Sequence, residues 1–165
     1  MNRIIVSACL MGETVRYDGN RLAVLPPLPG EWGRRGRVVS FCAEVAGGLP
    51  VPRPPAELTG CSGEDVLAGA GRVVNVERDD VTDAFLAGAR AALDATRRHG
   101  VVAALLKDGS PSCGCRRIYD GSFAGVRRPG RGVTAALLAE HGVAVFSEEE
   151  VNELIAFLKD GADRR

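Results

Sequence analysis

Five cysteines, Cys9, Cys42, Cys61, Cys113 and Cys115, mark this 165-residue chain. The last two flank one glycine in Lys107-Asp108-Gly109-Ser110-Pro111-Ser112-Cys113-Gly114-Cys115, where an apolar run breaks into turn-forming residues. A thiol in such a loop is a packed hydrophobe, a reactive nucleophile or a metal ligand. Disulfides are not expected. The count is odd, Met1–Val6 lead straight into a strand-like run rather than a signal peptide, and no apolar run is long enough for a membrane helix. A cytoplasmic, reducing setting follows. Glu44 lies two residues after Cys42 and Ser110 three before Cys113. Beside a metal a carboxylate can relay protons, although a surface acid and a turn serine are the ordinary readings of the two. His99 and His141 each precede a glycine at the end of a helical pattern, which reads as a helix terminus rather than as half of a cysteine–histidine pair.

The elements that must position these groups alternate. Arg3–Ala8, Val38–Phe41, Val101–Leu106 and Val143–Phe146 are short apolar runs of strand length, as expected for strands buried on both faces of a parallel sheet. Helical periodicity runs from Asp80 to Arg98, from Gly132 to Gly142, and from Ser147, an N-cap with Glu150 three residues on, to about Lys159. Residues 25–36 and 46–72 read as irregular, and Arg72–Val76 as a short extra strand. The pattern predicts one domain over residues 1–165. Its class is α/β, a mostly parallel central sheet with flanking helices in Rossmann-like layers. Ligands of such sheets bind at the carboxyl ends of the strands. The first two strands end at Cys9 and Cys42, and the loop after the third carries Cys113, so the topology gathers these three at one edge. On residue types alone the three thiols suit zinc, an iron–sulfur cluster or redox chemistry, although no paired Cys-x₂-Cys zinc knuckle is present. The triplet Tyr-Asp-Gly occurs twice, at 17–19 and 119–121, and an Asp-Gly turn accounts for each copy locally.

Several motifs in one order carry a more specific signal. Ser7-Ala8-Cys9-Leu10 with Val15–Gly19, Cys42-Ala43-Glu44 running into Gly47–Arg53, and Ser110-Pro111-Ser112-Cys113-Gly114 with Ile118–Gly121 together resemble the bacterial thiouracil desulfidase family. The similarity continues through Asp80-Val81-Thr82 and Gly132-Val133 and so covers nearly the whole chain. The resemblance implies a [4Fe–4S] cluster held by Cys9, Cys42 and Cys113, with one iron left open for the sulfur of a thiolated pyrimidine. It maps the family's catalytic carboxylate and serine onto Glu44 and Ser110. Glu44 would handle protons and activate the water that replaces sulfur, and Ser110 would orient or protonate the substrate.

Two positions depart from the family pattern. Ala43 stands where proline is common, which removes a backbone constraint beside Glu44. Cys115 is an extra thiol close enough in sequence to close the open iron, and is read with Cys61 as a bystander. Two other functions compete: a persulfide sulfurtransferase using Cys113 and Cys115, and a non-catalytic metal-binding or sulfur-trafficking module. Basic and acidic residues number 21 each, so charge argues against intact RNA and leaves a small-molecule thiopyrimidine as the expected partner. Arg16, Arg53, Lys107 and Arg131 are expected near the edge of the site.

Overall fold

The computed structural model describes residues 2–162. In chain order the elements begin with β1 (Arg3–Ser7), α1 (Gly30–Arg34), β2 (Val38–Phe41), α2 (Ala43–Ala46), β3 (Ala56–Leu58), α3 (Gly63–Leu67) and β4 (Val73–Asn75). They continue with α4 (Thr82–His99), β5 (Val101–Leu106), β6 (Arg117–Tyr119), β7 (Arg127–Pro129), α5 (Val133–Glu140), β8 (Ala144–Ser147) and α6 (Val151–Ala162). Four strands form one sheet in the order β2-β1-β5-β8, every neighbouring pair parallel. The expected α/β class with a parallel central sheet is thus what the chain adopts.

Strand alternation explains why both faces are covered. Ile4, Val6, Ala103 and Leu105 pack with Trp32, Val151, Leu154 and Leu158, which places α1 and α6 on one face. Ile5, Ala104 and Leu106 pack with Ala92, Leu93, Ala135 and Leu138, which places α4 and α5 on the other. The chain runs from β1 to β2 on one side, then returns past β1 to β5 on the other. Strand order therefore reverses between β1 and β5, where open α/β sheets leave a crevice.

The differences from the sequence reading are local. β1 stops at Ser7, and Ala8–Met11 wind into a 3₁₀ turn that carries Cys9. α6 begins at Val151 rather than Ser147: Ser147 closes β8, and its backbone N–H donates to Glu150 Oε2 at 2.9 Å to form the intervening turn. Helices α1 and α3 and strand β3 lie in segments expected to be irregular, β4 is the expected short strand, and α2 and the pair β6–β7 lie where no element was expected. All are three to five residues long, too short for hydrophobic periodicity to register. Both histidines sit at helix ends as expected: His99 ends α4 before Gly100, and His141 follows α5 with Nδ1 3.0 Å from Leu137 O.

One close approach matters for the site. A Cβ on Gly88 of α4 would lie 2.0 Å from Ala43 O, and one on Gly47 would lie 2.0 Å from Ala84 O. Glycine at both positions lets α2 pack backbone against backbone on α4. That packing fixes where Cys42 and Glu44 stand relative to the sheet.

Candidate active site

Cys9, Cys42 and Cys113 come from three separate elements and line one cavity of ≈340 Å³ at the carboxyl end of the sheet. Cys9 is held in its turn by Gly12, which adopts φ 85° and donates its N–H to Cys9 O at 3.2 Å. Cys42 is the N-cap of α2. Burial raises all three thiols above their ordinary value. Cys9 is pushed to about 11 by burial and then by Cys42; Cys113 is pushed to about 12 by burial, which outweighs the Ser7 and Ser112 hydroxyls beside it. Cys42 is raised by burial against the helix N–H of Val45. Without a cation to hold them as thiolates these are neutral SH groups, and binding an electron-poor metal centre would release their protons.

The wall carrying Cys113 is fastened by its own polar groups. Asp108 Oδ1 accepts the backbone N–H groups of Cys115, Arg116 and Arg117 at 3.0, 3.1 and 3.1 Å. Burial alone would raise the Asp108 carboxyl, but these donors outweigh it and hold the group below its usual range. Glu148, in the turn after β8, grips the same loop, accepting Asp108 N–H at 2.7 Å and the Lys107 ammonium at 2.6 Å. A Cβ on Gly114 would lie 2.7 Å from both Ser110 O and Arg117 O, so only glycine fits this turn.

Glu44 and Ser110 meet across the cavity. Ser112 Oγ donates to Glu44 Oε2 at 2.8 Å, and Ser110 Oγ stands 3.4 Å from the same oxygen and 2.9 Å from Ser112 Oγ. The Ser110 hydroxyl accepts the backbone N–H groups of Ser112 and Cys113 at 3.2 and 3.1 Å. Both of its lone pairs are therefore occupied, and its proton is what it has left to offer. Glu44 Oε1 accepts Arg53 Nε at 3.1 Å.

The remaining sequence candidates divide. Cys115 is absent from the cavity wall: its Sγ points at Leu106 O, Cys113 O and Phe146 O and packs against the core under α4 and α5. Of the two thiols in this segment, Cys113 lines the cavity and Cys115 does not. Cys61 is buried in a third cluster with Val66, Val73 and Phe85, its Sγ 3.5 Å from Arg72 O. Arg16, Arg53 and Lys107 line the cavity, whereas Arg131 does not and pairs with Glu64 at 3.8 Å.

Sequence reasoning passed over Ser112, Tyr17, Tyr119 and Arg127, all of which line the cavity. The repeated Tyr-Asp-Gly triplet was the available signal. Asp18 and Asp120 each form the expected local turn, accepting the N–H two residues on at 2.9 Å. Both tyrosines nonetheless reach the same cavity, each with an arginine over its ring, Arg16 at 5.9 Å and Arg127 at 5.3 Å.

Among the described residues no three His, Cys, Asp or Glu side chains converge tightly enough to hold one metal ion. Three soft sulfur donors around one cavity, from the segments that follow β1, β2 and β5, fit the thiolate ligation of an iron–sulfur cluster.

Comparison with known proteins agrees. The family model described as 2-thiouracil desulfurase matches residues 4–150. The chain is 41% identical over 154 residues to the uncharacterized protein YbbK of Bacillus subtilis (strain 168), covering 92% of this chain and 99% of that protein. Among solved structures it is similar to the [4Fe-4S]-dependent thiouracil desulfidase TudS. The TM-score is 0.86 at 48% identity, over 96% of this chain and 99% of that one.

Proposed function

The chain belongs to the 2-thiouracil desulfurase family, and we propose that it is a [4Fe–4S]-dependent desulfidase replacing the sulfur of a thiouracil-type pyrimidine with oxygen from water. Residues 1–165 act as one desulfidase-like domain in the cytoplasm, where the free state of the described cysteines is the expected one. The observation that carries the reading is the convergence of Cys9, Cys42, Cys113, Glu44 and Ser110 on one cavity.

Cys9, Cys42 and Cys113 hold the cluster in this reading, as thiolates. A [4Fe–4S] cluster with three protein ligands supplies an iron with an open position, a Lewis acid suited to soft sulfur. Glu44 takes a proton from the water that attacks the ring carbon. The water oxygen forms the new C–O bond, the C–S bond breaks with its electron pair on sulfur, and no net oxidation occurs. Ser110, with its lone pairs occupied by backbone N–H groups, donates its proton toward the substrate ring and orients it. Cys115 is absent from the cavity wall and faces Phe146 O, which speaks against a persulfide relay between Cys113 and Cys115.

The test is sulfide release from 2-thiouracil and 4-thiouracil by protein reconstituted anaerobically with iron and sulfide. Release that disappears in Cys9→Ala, Cys42→Ala and Cys113→Ala alike is the expected result. Undiminished release by all three variants would overturn the reading.

A further inference from the structure

Among the described residues, Arg53 is the charged side chain that hydrogen-bonds both the proposed proton-handling group and Val15 at the lip of the cavity. Its side chain is 5% exposed, and each guanidinium nitrogen has a partner. Nε donates to Glu44 Oε1 at 3.1 Å, Nη1 to Pro50 O at 3.2 Å and Nη2 to Val15 O at 3.0 Å. Its backbone N–H donates to Tyr17 O at 2.7 Å.

Two consequences follow from where those bonds go. First, the Glu44 carboxylate is divided: one oxygen is committed to Arg53 and the other faces Ser112 and Ser110. A carboxylate pinned through one oxygen cannot rotate the other away from the hydroxyls. The neighbouring backbone offers less restraint than a proline would, because residue 43 is alanine. Second, residues 12–29 form a long strap without helix or strand that carries Arg16 and Tyr17 over the cavity. Leu22 and Leu28 anchor its later part in the core. Between residues 14 and 27, every hydrogen bond joining the strap to the rest of the described chain comes from Arg53.

We propose that Arg53 is a positioning residue that ties the cavity lip to Glu44, so that one buried guanidinium sets both the geometry of the carboxylate and the closure of the substrate entrance. For Glu44 this rests on the desulfidase reading; for the lip it rests on the hydrogen bonds alone. Lysine cannot replace it, since one ammonium lacks the planar fork that reaches Val15, Pro50 and Glu44 at once.

The experiment is a double-mutant cycle with amide hydrogen exchange as a second readout. Arg53→Lys, Arg53→Met, Glu44→Gln and the Arg53→Met/Glu44→Gln double variant are compared with wild type. For both Arg53 variants kcat falls, by up to about 10²-fold where the carboxylate is misplaced by an ångström, and KM rises. Glu44→Gln lowers kcat and leaves KM near wild type. In the double variant kcat is no lower than in Glu44→Gln, while KM is still raised. Iron content stays at the wild-type level throughout, and amide hydrogen exchange in residues 14–19 accelerates in the Arg53 variants but not in Glu44→Gln.

A purely structural arginine would instead lower kcat further in the double variant and lower iron content with it, which would overturn the proposal. Unchanged exchange in residues 14–19 in Arg53→Lys, the variant that retains a buried cation, would overturn the tie to the lip. Wild-type protein that loads iron but releases no sulfide would refute the desulfidase reading and the Glu44 half of the proposal. The exchange result stands apart from that outcome.

Discussion

The loop after β5 and the strap after β1 line the same cavity by opposite means. From Lys107 to Arg117 the loop is bound inward: Asp108 gathers three backbone N–H groups, Ser110 takes two more, and Glu148, just after β8, holds two donors. The strap is hydrogen-bonded to its neighbours at its two ends, but between residues 14 and 27 it is held by a few apolar anchors and by Arg53. The difference suits the division of labour proposed for them. The cluster ligand and proton donor proposed on the loop would require fixed geometry, since small misplacement is costly in rate. An entrance must admit and release a ring, and segments with few buried contacts open most easily.

That contrast can be broken at either end. The largest effects belong to the loop and the carboxylate it meets. Ser110→Ala should lower kcat by about 10²–10⁴-fold, the range for a lost acid–base group, with iron content and KM near wild type. Steady-state kinetics on protein of measured iron content checks this. Equal losses of kcat and iron would mean that Ser110 serves the fold instead.

Asp108→Ala should loosen the wall. Three backbone N–H groups lose their acceptor, so thermal or denaturant unfolding should show a loss of about 1–3 kcal/mol. pH supplies a second check. A carboxyl held below its ordinary value contributes stability that is full above the unfolded value and is lost as pH falls through the lowered folded one. Asp108→Asn should therefore remove part of the acid limb in a plot of stability against pH. An acid limb identical to wild type would refute the role given to this carboxylate.

How much of this was legible in the residues also follows the contrast. The buried parallel strands announce themselves as apolar runs, and strand ends brought Cys9, Cys42 and Cys113 together before any coordinates did. Ser112 was passed over because a serine between proline and cysteine has no periodic signature; its link to Glu44 spans 68 positions. Arg53 was noted only as an edge charge, since its partners Val15 and Glu44 depend on how two irregular segments cross. Helix α2 is four residues long and is set by the Gly47–Gly88 packing rather than by propensity. That Cys113 lines the cavity and Cys115 does not depends on the path of the loop, and neighbouring thiols in a sequence carry no record of it.

The smallest catalytic effect is expected on the strap. Tyr17→Ala removes a half-exposed ring from the lip. KM should rise a few-fold while kcat and melting temperature stay near wild type. A loss of kcat as large as that of Ser110→Ala would erase the distinction between wall and lip.

The central claim is that the cavity-facing thiol of the Cys113-Gly114-Cys115 segment holds the cluster and the core-facing one does not. Its most direct measurement is iron and acid-labile sulfide per chain after anaerobic reconstitution of Cys113→Ser and Cys115→Ser, side by side. The account predicts wild-type iron and sulfide in Cys115→Ser and a large loss in Cys113→Ser. Loss in Cys115→Ser with retention in Cys113→Ser would contradict it.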